Sequence, residues 1–254
     1  MSDTACLLLH GIAGSPFEME PLVPALKELG CAVDLPTLPG HDSSLEDFRR
    51  TFFKDWMGCA EERYQYLSRR YKKVIPIGFS MGGSLALLLS ARHSPAAVVS
   101  LAGPLCLCRL FPFSSKTLLY LLMPLLKHLR PVLSRPGPKP QSRDIAPYRG
   151  YEGVTCLPQM HSLAKGLAQL RRVLPDIRCP ALIMHDARDR TSWPGSALGI
   201  AAGASSEDLT VIYTRIREQV TSRHMLTTHR ETREYIAAKV SGFVDAINRE
   251  EGTS

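Results

Sequence analysis

The sequence predicts an α/β fold, a mostly parallel sheet of about six strands with helices on both faces and a helical insertion. Three observations predict it. Short apolar runs alternate with helical stretches along most of the chain. The 254 residues suffice for one large domain and show no second core. A Gly-x-Ser-x-Gly string stands between a β-branched run and a stretch with the composition of a buried helix.

Taken in order, Ala5–Gly11 reads as a buried strand ending at a glycine turn, and Pro21–Gly30 as a short helix with a glycine stop. Cys31–Pro36 is the second strand, and Leu45–Tyr71 a long helical stretch. Val74–Phe79 is the third strand, followed by a helix through Ser84–Ala91; Ala96–Leu101 is the fourth. Pro180–His185 and Leu209–Tyr213 are the fifth and sixth. Glu231–Ile247 is amphipathic, with Tyr235, Ile236, Val240, Phe243, Val244 and Ile247 on one face. The alternation lapses from Gly103 to Asp176. There Thr117–Leu126 is apolar nearly all round, too short to span a bilayer and interrupted by Pro124; Pro131–Pro140 reads as a loop or hinge, and Ser162–Leu174 as a helix rejoining the domain. Residues from about 104 to 160 are therefore expected to form a cap over the carboxyl edge of the sheet.

At 44% hydrophobic and 22% charged residues, the composition is that of a soluble globular protein. The first residues, Met1–Cys6, lack the basic region of a signal peptide, and seven scattered cysteines suit a reducing cytoplasm. Cys106-Leu107-Cys108 has the wrong spacing for common zinc knuckles, so no metal is expected. The net charge of +7 is concentrated between Val98 and Gln141, which holds Arg109, Lys116, Lys127, Arg130, Arg135 and Lys139 and no Asp or Glu. These cations alternate with leucines rather than stacking aromatics, which disfavours nucleic acid as a partner. The segment reads either as a cap that happens to be basic or as one that meets an anionic membrane surface or anionic amphiphiles.

Gly78-Phe79-Ser80-Met81-Gly82 between strand and helix is the pattern of a nucleophile elbow. Serine is a poor nucleophile at neutral pH and needs a base, which in turn needs a carboxylate to hold its tautomer. His224 lies after the sixth strand and before the last helix, the place for the base; His229, five residues on, reads as a surface or capping residue. Two carboxylates follow the fifth strand. Asp186 is placed to turn the backbone, whereas Asp189 lies further into the loop and is better placed to reach a histidine; its bland alternative is a surface pairing with Arg188 or Arg190. The oxyanion of a tetrahedral intermediate needs two N–H donors, expected from Met81 and from Ile12 in the glycine-bearing turn after the first strand. Gly11-x-x-Gly14 lacks the third glycine or the Lys-Ser/Thr of a phosphate loop, so no dinucleotide cofactor is indicated.

With these residues assembled, the chain resembles the α/β-hydrolase superfamily, and within it the small carboxylesterase and monoacylglycerol-lipase-like group. The resemblance is carried by Leu7–Ser15, Leu38-Pro39-Gly40-His41, Gly78–Gly83, His185–Asp189 and Ser222-Arg223-His224, and runs nearly the whole length. It implies that the acid of a His-Gly-x-x-Asp pattern falls on Asp189, although Asp186 stands where that pattern has Gly, Asp42 where Gly is common, and Ser192 where an apolar residue usually packs. It also implies a chain that starts at the strand bearing the oxyanion loop. The expected function is hydrolysis of small apolar esters by Ser80, Asp189 and His224 without cofactor. Acyl transfer, thioester cleavage or C–C hydrolysis by the same triad are alternatives, and a non-catalytic lipid-binding protein is the alternative of another class.

Overall fold

A computed structural model of the chain describes residues 3–107 and 115–249, with side chains in the second span described from residue 121. Cys108 and Arg109 lie outside the described residues, as do the side chains of Lys116 and Thr117–Tyr120. Six strands form one parallel sheet: β1 (Thr4–Leu9), β2 (Ala32–Asp34), β3 (Lys73–Phe79), β4 (Val98–Leu101), β7 (Ala181–Asp186) and β8 (Leu209–Thr214), in spatial order β2-β1-β3-β4-β7-β8. The strands named β5 (Val132–Ser134) and β6 (Val154–Cys156) pair antiparallel in a separate ribbon. The helices are α1 (Val23–Glu28), α2 (Leu45–Arg49), α3 (Phe53–Ser68), α4 (Met81–His93), α5 (Ser115–Leu129), α6 (Pro140–Ile145), α7 (Leu157–Val173), α8 (Gly195–Gly203) and α9 (Arg233–Arg249).

Successive side chains of a strand point to opposite faces, and β1 feeds two cores in that way. Ala5, Leu7 and Leu9 pack with Trp56 of α3, Leu85 of α4 and Leu167 of α7. Cys6 and Leu8 pack with Leu26 of α1 and with Ile236, Val240 and Val244 of α9. All six β1 residues are buried, as expected of a central strand covered on both sides. This sandwich fixes the carboxyl ends of β1, β3, β7 and β8, where the candidate site residues lie.

Four local departures from the sequence expectation have physical reasons. The stretch Leu45–Tyr71 is two helices, because the Ser44 hydroxyl caps α2 and the Asp55 carboxylate accepts Phe52 N–H to start α3. Pro131–Pro140 is no simple loop: Val132–Ser134 finds a partner in Val154–Cys156, and Pro140 opens α6 at a position where its missing N–H costs nothing. Helix α8 was not legible, since Gly195, Gly199 and Gly203 lower its propensity and only packing of Ala197 and Ile200 against the sheet compensates. On α9, Ile236, Val240, Val244 and Ile247 are buried as expected, but Tyr235 is 46% exposed.

Candidate active site

Strand β3 ends in a sharp turn at Ser80. Ser80 has φ 53° and ψ −121°, a conformation costly for a residue with a side chain, and its N–H is tied to Leu101 O at 2.7 Å. The turn closes so tightly that a Cβ on Gly78 would lie 2.0 Å from Gly82 O, and one on Gly82 would lie 2.0 Å from Leu9 O. Glycine at both positions is therefore a steric requirement of the elbow. Helix α4 begins at Met81, so the Met81 N–H lies in the first turn, which has no partner within the helix.

His224 comes from the loop between β8 and α9, and Asp189 from the loop after β7. Nε2 of His224 lies 2.9 Å from Ser80 Oγ, and its Nδ1 lies 2.6 Å from Asp189 Oδ2. The other Asp189 oxygen, Oδ1, accepts Thr191 N–H at 2.7 Å and Ser192 N–H at 3.0 Å. Ser192 thus meets the acid through its backbone. Arg190, one of the surface partners open to Asp189, instead donates to the carbonyls of Gln219 and Thr221. His185 adds a second imidazole nitrogen 3.2 Å from Asp189 Oδ2.

Asp186 is equally buried but does other work. It accepts Arg188 N–H at 2.8 Å, Ile216 N–H at 2.7 Å and the Thr214 hydroxyl at 3.0 Å, which ties the loop after β7 to the end of β8. The expectation that it turns the backbone there agrees with these bonds. Of the two expectations for His229, surface or capping, the first fails: the residue is fully buried. Its Nδ1 accepts Glu231 N–H and its Nε2 lies 3.2 Å from Glu218 Oε1. The Glu218 carboxylate in turn accepts the N–H groups of Val220 and Thr221, so His229 braces the loop that carries His224.

Electrostatics follow from these contacts. Burial opposes a charge on His224, but the Asp189 carboxylate outweighs it and raises the imidazole above its ordinary value. Burial also works against the Asp189 charge, yet His224 and His185 hold its carboxyl well below the usual range. An anionic Asp189 with an N–H of His224 directed at it leaves Nε2 to accept a proton from Ser80.

The turn after β1 faces this line. Ile12 lines the pocket with Ser80 and His224, and a Cβ on Gly11 would lie 3.3 Å from Ser80 Cβ. Ala13, with φ 59°, donates its N–H to His41 Nε2, and its carbonyl accepts both the Tyr148 hydroxyl at 2.6 Å and Tyr151 N–H. The segment between β4 and α7 is thereby tied to the loop after β1. The pocket has a volume of about 410 Å³ and is lined by Ile12, Phe79 and Ser80 together with Arg135, Arg143 and Glu152. Glu18, Tyr148 and Glu152 were not singled out in the sequence. Glu18 resembles any acid opening a helical turn, and nothing local places Tyr148 near Ala13. Among the described residues no three His, Cys, Asp or Glu side chains converge as metal ligands.

A family model described as the alpha/beta hydrolase family matches residues 6–233. A thermostable monoacylglycerol lipase of Bacillus sp. (strain H-257) is 32% identical over 212 residues, 82% of this chain and 80% of the relative. Among solved structures, one reported with LipS and LipT, two metagenome-derived lipolytic enzymes, superposes with a TM-score of 0.83 at 22% identity, covering 96% of this chain and 94% of that one. A soluble variant of monoglyceride lipase from Saccharomyces cerevisiae superposes with a TM-score of 0.79 at 15% identity, covering 97% and 87%. At these identities the structural likenesses establish the fold.

Proposed function

The chain belongs to the alpha/beta hydrolase family, and from that premise we propose that it is a serine hydrolase that cleaves carboxylic esters through an acyl-enzyme. The observation that carries the reading is the unbroken line Asp189–His224–Ser80, whose histidine and serine line the pocket. In this course Ser80 Oγ attacks the carbonyl carbon while its proton passes to His224 Nε2. The N–H groups of Ile12 and Met81 receive the oxyanion, and the amino end of α4 favours its charge. Collapse sends the proton from His224 to the leaving alcohol oxygen and leaves Ser80 acylated. Water then attacks the acyl carbon, His224 accepts its proton, and the free acid departs as Ser80 regains a hydrogen. No step calls for a cofactor.

The substrate class is an apolar ester such as a monoacylglycerol, an assignment supported by the 32% identical lipase and by Ile12, Phe79, Ala146 and Met225 in the pocket lining. Residues 104–160 act as the cap, supplying Arg135, Ala146 and Tyr148 to the pocket wall. The cap rests on an anionic membrane surface through α5, whose Leu121, Leu122, Leu125 and Leu129 are exposed beside Arg130. A cytoplasmic setting accords with the thiols of Cys6, Cys59, Cys156 and Cys179, which are free of disulfides.

Hydrolysis of a p-nitrophenyl ester series tests the chemistry. Ser80→Ala is expected to abolish turnover and labelling by a fluorophosphonate probe; unchanged turnover would sink the mechanism. With His224 as the base, kcat/KM rises with pH through a value above 6.5, the ordinary imidazole value.

A further inference from the structure

Glu18 is the one fully buried carboxyl at the pocket, among the described residues, that the proposed course does not use. Its residue is 1% exposed, and it lines the pocket with Ile12, Ser80 and His224. It stands in a short 3-10 turn, Pro16–Glu18, where an acid would ordinarily point to solvent. Instead its side chain folds back across seven residues so that Oε2 accepts Gly11 N–H at 2.7 Å. The fit is close: a Cβ on Gly11 would lie 3.0 Å from Oε2, and one on Gly14 would lie 2.3 Å from Oε1. No basic side chain forms an ion pair with it among the described residues.

We propose that Glu18 is a positioning residue for the oxyanion hole, whose buried carboxyl clamps the Gly11 N–H and so fixes the aim of the Ile12 N–H. The inference rests on the esterase reading above. Its physical reason is the freedom of glycine. Two peptide planes meet at Gly11 Cα, and without a Cβ neither is held by sterics. The plane bearing Ile12 N–H is held through its own carbonyl, Gly11 O, which lies 2.9 Å from His10 Nδ1. Because His10 Nε2 accepts Leu38 N–H, the ring proton sits on Nδ1 and is donated to Gly11 O. The preceding plane, bearing Gly11 N–H, has Glu18 as its clamp. An oxyanion donor is effective only when preset before charge develops, so both clamps bear on the same N–H.

The charge state of Glu18 matters at this place. Burial pushes its carboxyl up to about 8, against the lowering effects of the Gly11 N–H and the His224 charge. At neutral pH the clamp is therefore an uncharged acid, which puts no negative charge beside the forming oxyanion. Above pH 8 it becomes a carboxylate next to that oxyanion and works against it. The titratable groups that interact with Glu18 are His224 and Tyr148, with His10 and His41 behind the loop and Arg135, Arg143 and Glu152 lining the same pocket. Burial holds His10 near 3 and His41 near 4, and pushes Tyr148 far above the usual phenol range. Loss of the His224 proton generates the active base and so raises activity rather than lowering it. A fall in kcat on the alkaline side is thus assigned to Glu18.

Two variants separate clamp from charge, measured by kcat and KM across pH 6–10 with a p-nitrophenyl ester. Glu18→Gln keeps a neutral acceptor for Gly11 N–H. It is expected to stay within about threefold of wild type at pH 7 and to lack the fall in kcat through pH 8 that is expected of the wild type. Glu18→Met fills the space without the acceptor, and its kcat is expected to fall roughly tenfold to a hundredfold with KM little changed. An undiminished kcat in folded Glu18→Met, or an alkaline fall retained in Glu18→Gln, overturns the proposal. If Glu18→Met does not fold, the pH profile of Glu18→Gln decides alone. The underlying reading fails separately, by turnover that survives Ser80→Ala.

Discussion

At the scale of single residues, two neighbouring carboxylates of one loop have different tasks, and their contacts say which substitution should cost what. Asp189 spends Oδ1 on two backbone N–H groups and faces His224 with Oδ2. Asp189→Asn keeps the shape but removes the charge that holds the imidazole tautomer. We expect kcat to fall by about four orders of magnitude, as in other triads, with the melting temperature changed little. Asp186 receives three donors from the loop after β7 and from the end and aftermath of β8. In Asp186→Asn an amide NH₂ must turn toward at least one of them, leaving a buried donor unpaired at about 1–3 kcal/mol. That variant should lose stability in denaturant titrations while its kcat stays within about tenfold of wild type. If Asp186→Asn proves the greater loss in kcat, the assignment of the acid is reversed. The sequence made both candidates legible because only these two acids follow β7 at close range. It did not make Glu18 legible, since its partner lies seven residues upstream and only the folded loop brings Gly11 to it.

At the scale of elements, what could be read was whatever depends on local composition. The elbow was readable because Gly78, Ser80 and Gly82 are dictated by one steric fact, and β1 because a doubly covered strand must be apolar throughout. The pairing of β5 with β6 and the anchoring of the start of α3 depend instead on partners distant in sequence, such as Ser162, whose hydroxyl accepts Phe53 N–H. Helix α5 shows both sides of this limit. Its apolar character was plain, but its outward face is a property of the fold: Leu121, Leu125 and Leu129 recur at a spacing of four and are 54%, 62% and 69% exposed, while Met123 is buried. Such a stripe beside cations has the composition of a surface-lying helix. We expect the protein to cosediment with phosphatidylglycerol vesicles at low salt and less at high salt. Replacing the three leucines by serine should remove binding while leaving hydrolysis of a water-soluble ester intact. No cosedimentation at low salt would rule out the membrane contact.

At the scale of the whole molecule, the site makes stability depend on pH in a direction that can be worked out. His10 and His41 are buried neutral, with values near 3 and 4 in the fold against 6.5 for the free ring. Their contribution is complete above pH 6.5 and is lost as pH falls, because the unfolded chain then binds protons that the fold refuses. Glu18 has the opposite sign. Its value near 8 lies above the ordinary 4.5, so its contribution is complete below pH 4.5 and is lost as pH rises toward 8. His224, raised by Asp189, adds to the loss on that side, above pH 6.5. Between pH 4.5 and 6.5 two histidines oppose one glutamate, and stability should rise with pH by roughly the equivalent of one proton, about 1.4 kcal/mol per pH unit at most. Above 6.5 the histidine slope ends and only the falling contributions remain. The melting temperature should therefore peak near pH 6.5 and decline toward pH 8. Glu18→Gln should flatten that decline, because an amide cannot ionise, and steepen the rise between pH 4.5 and 6.5, where the two histidines are then unopposed. A melting temperature that keeps rising from pH 7 to 9 would show that Glu18 is ionised in the native protein, and with it the neutral clamp beneath the oxyanion loop would be lost as an explanation.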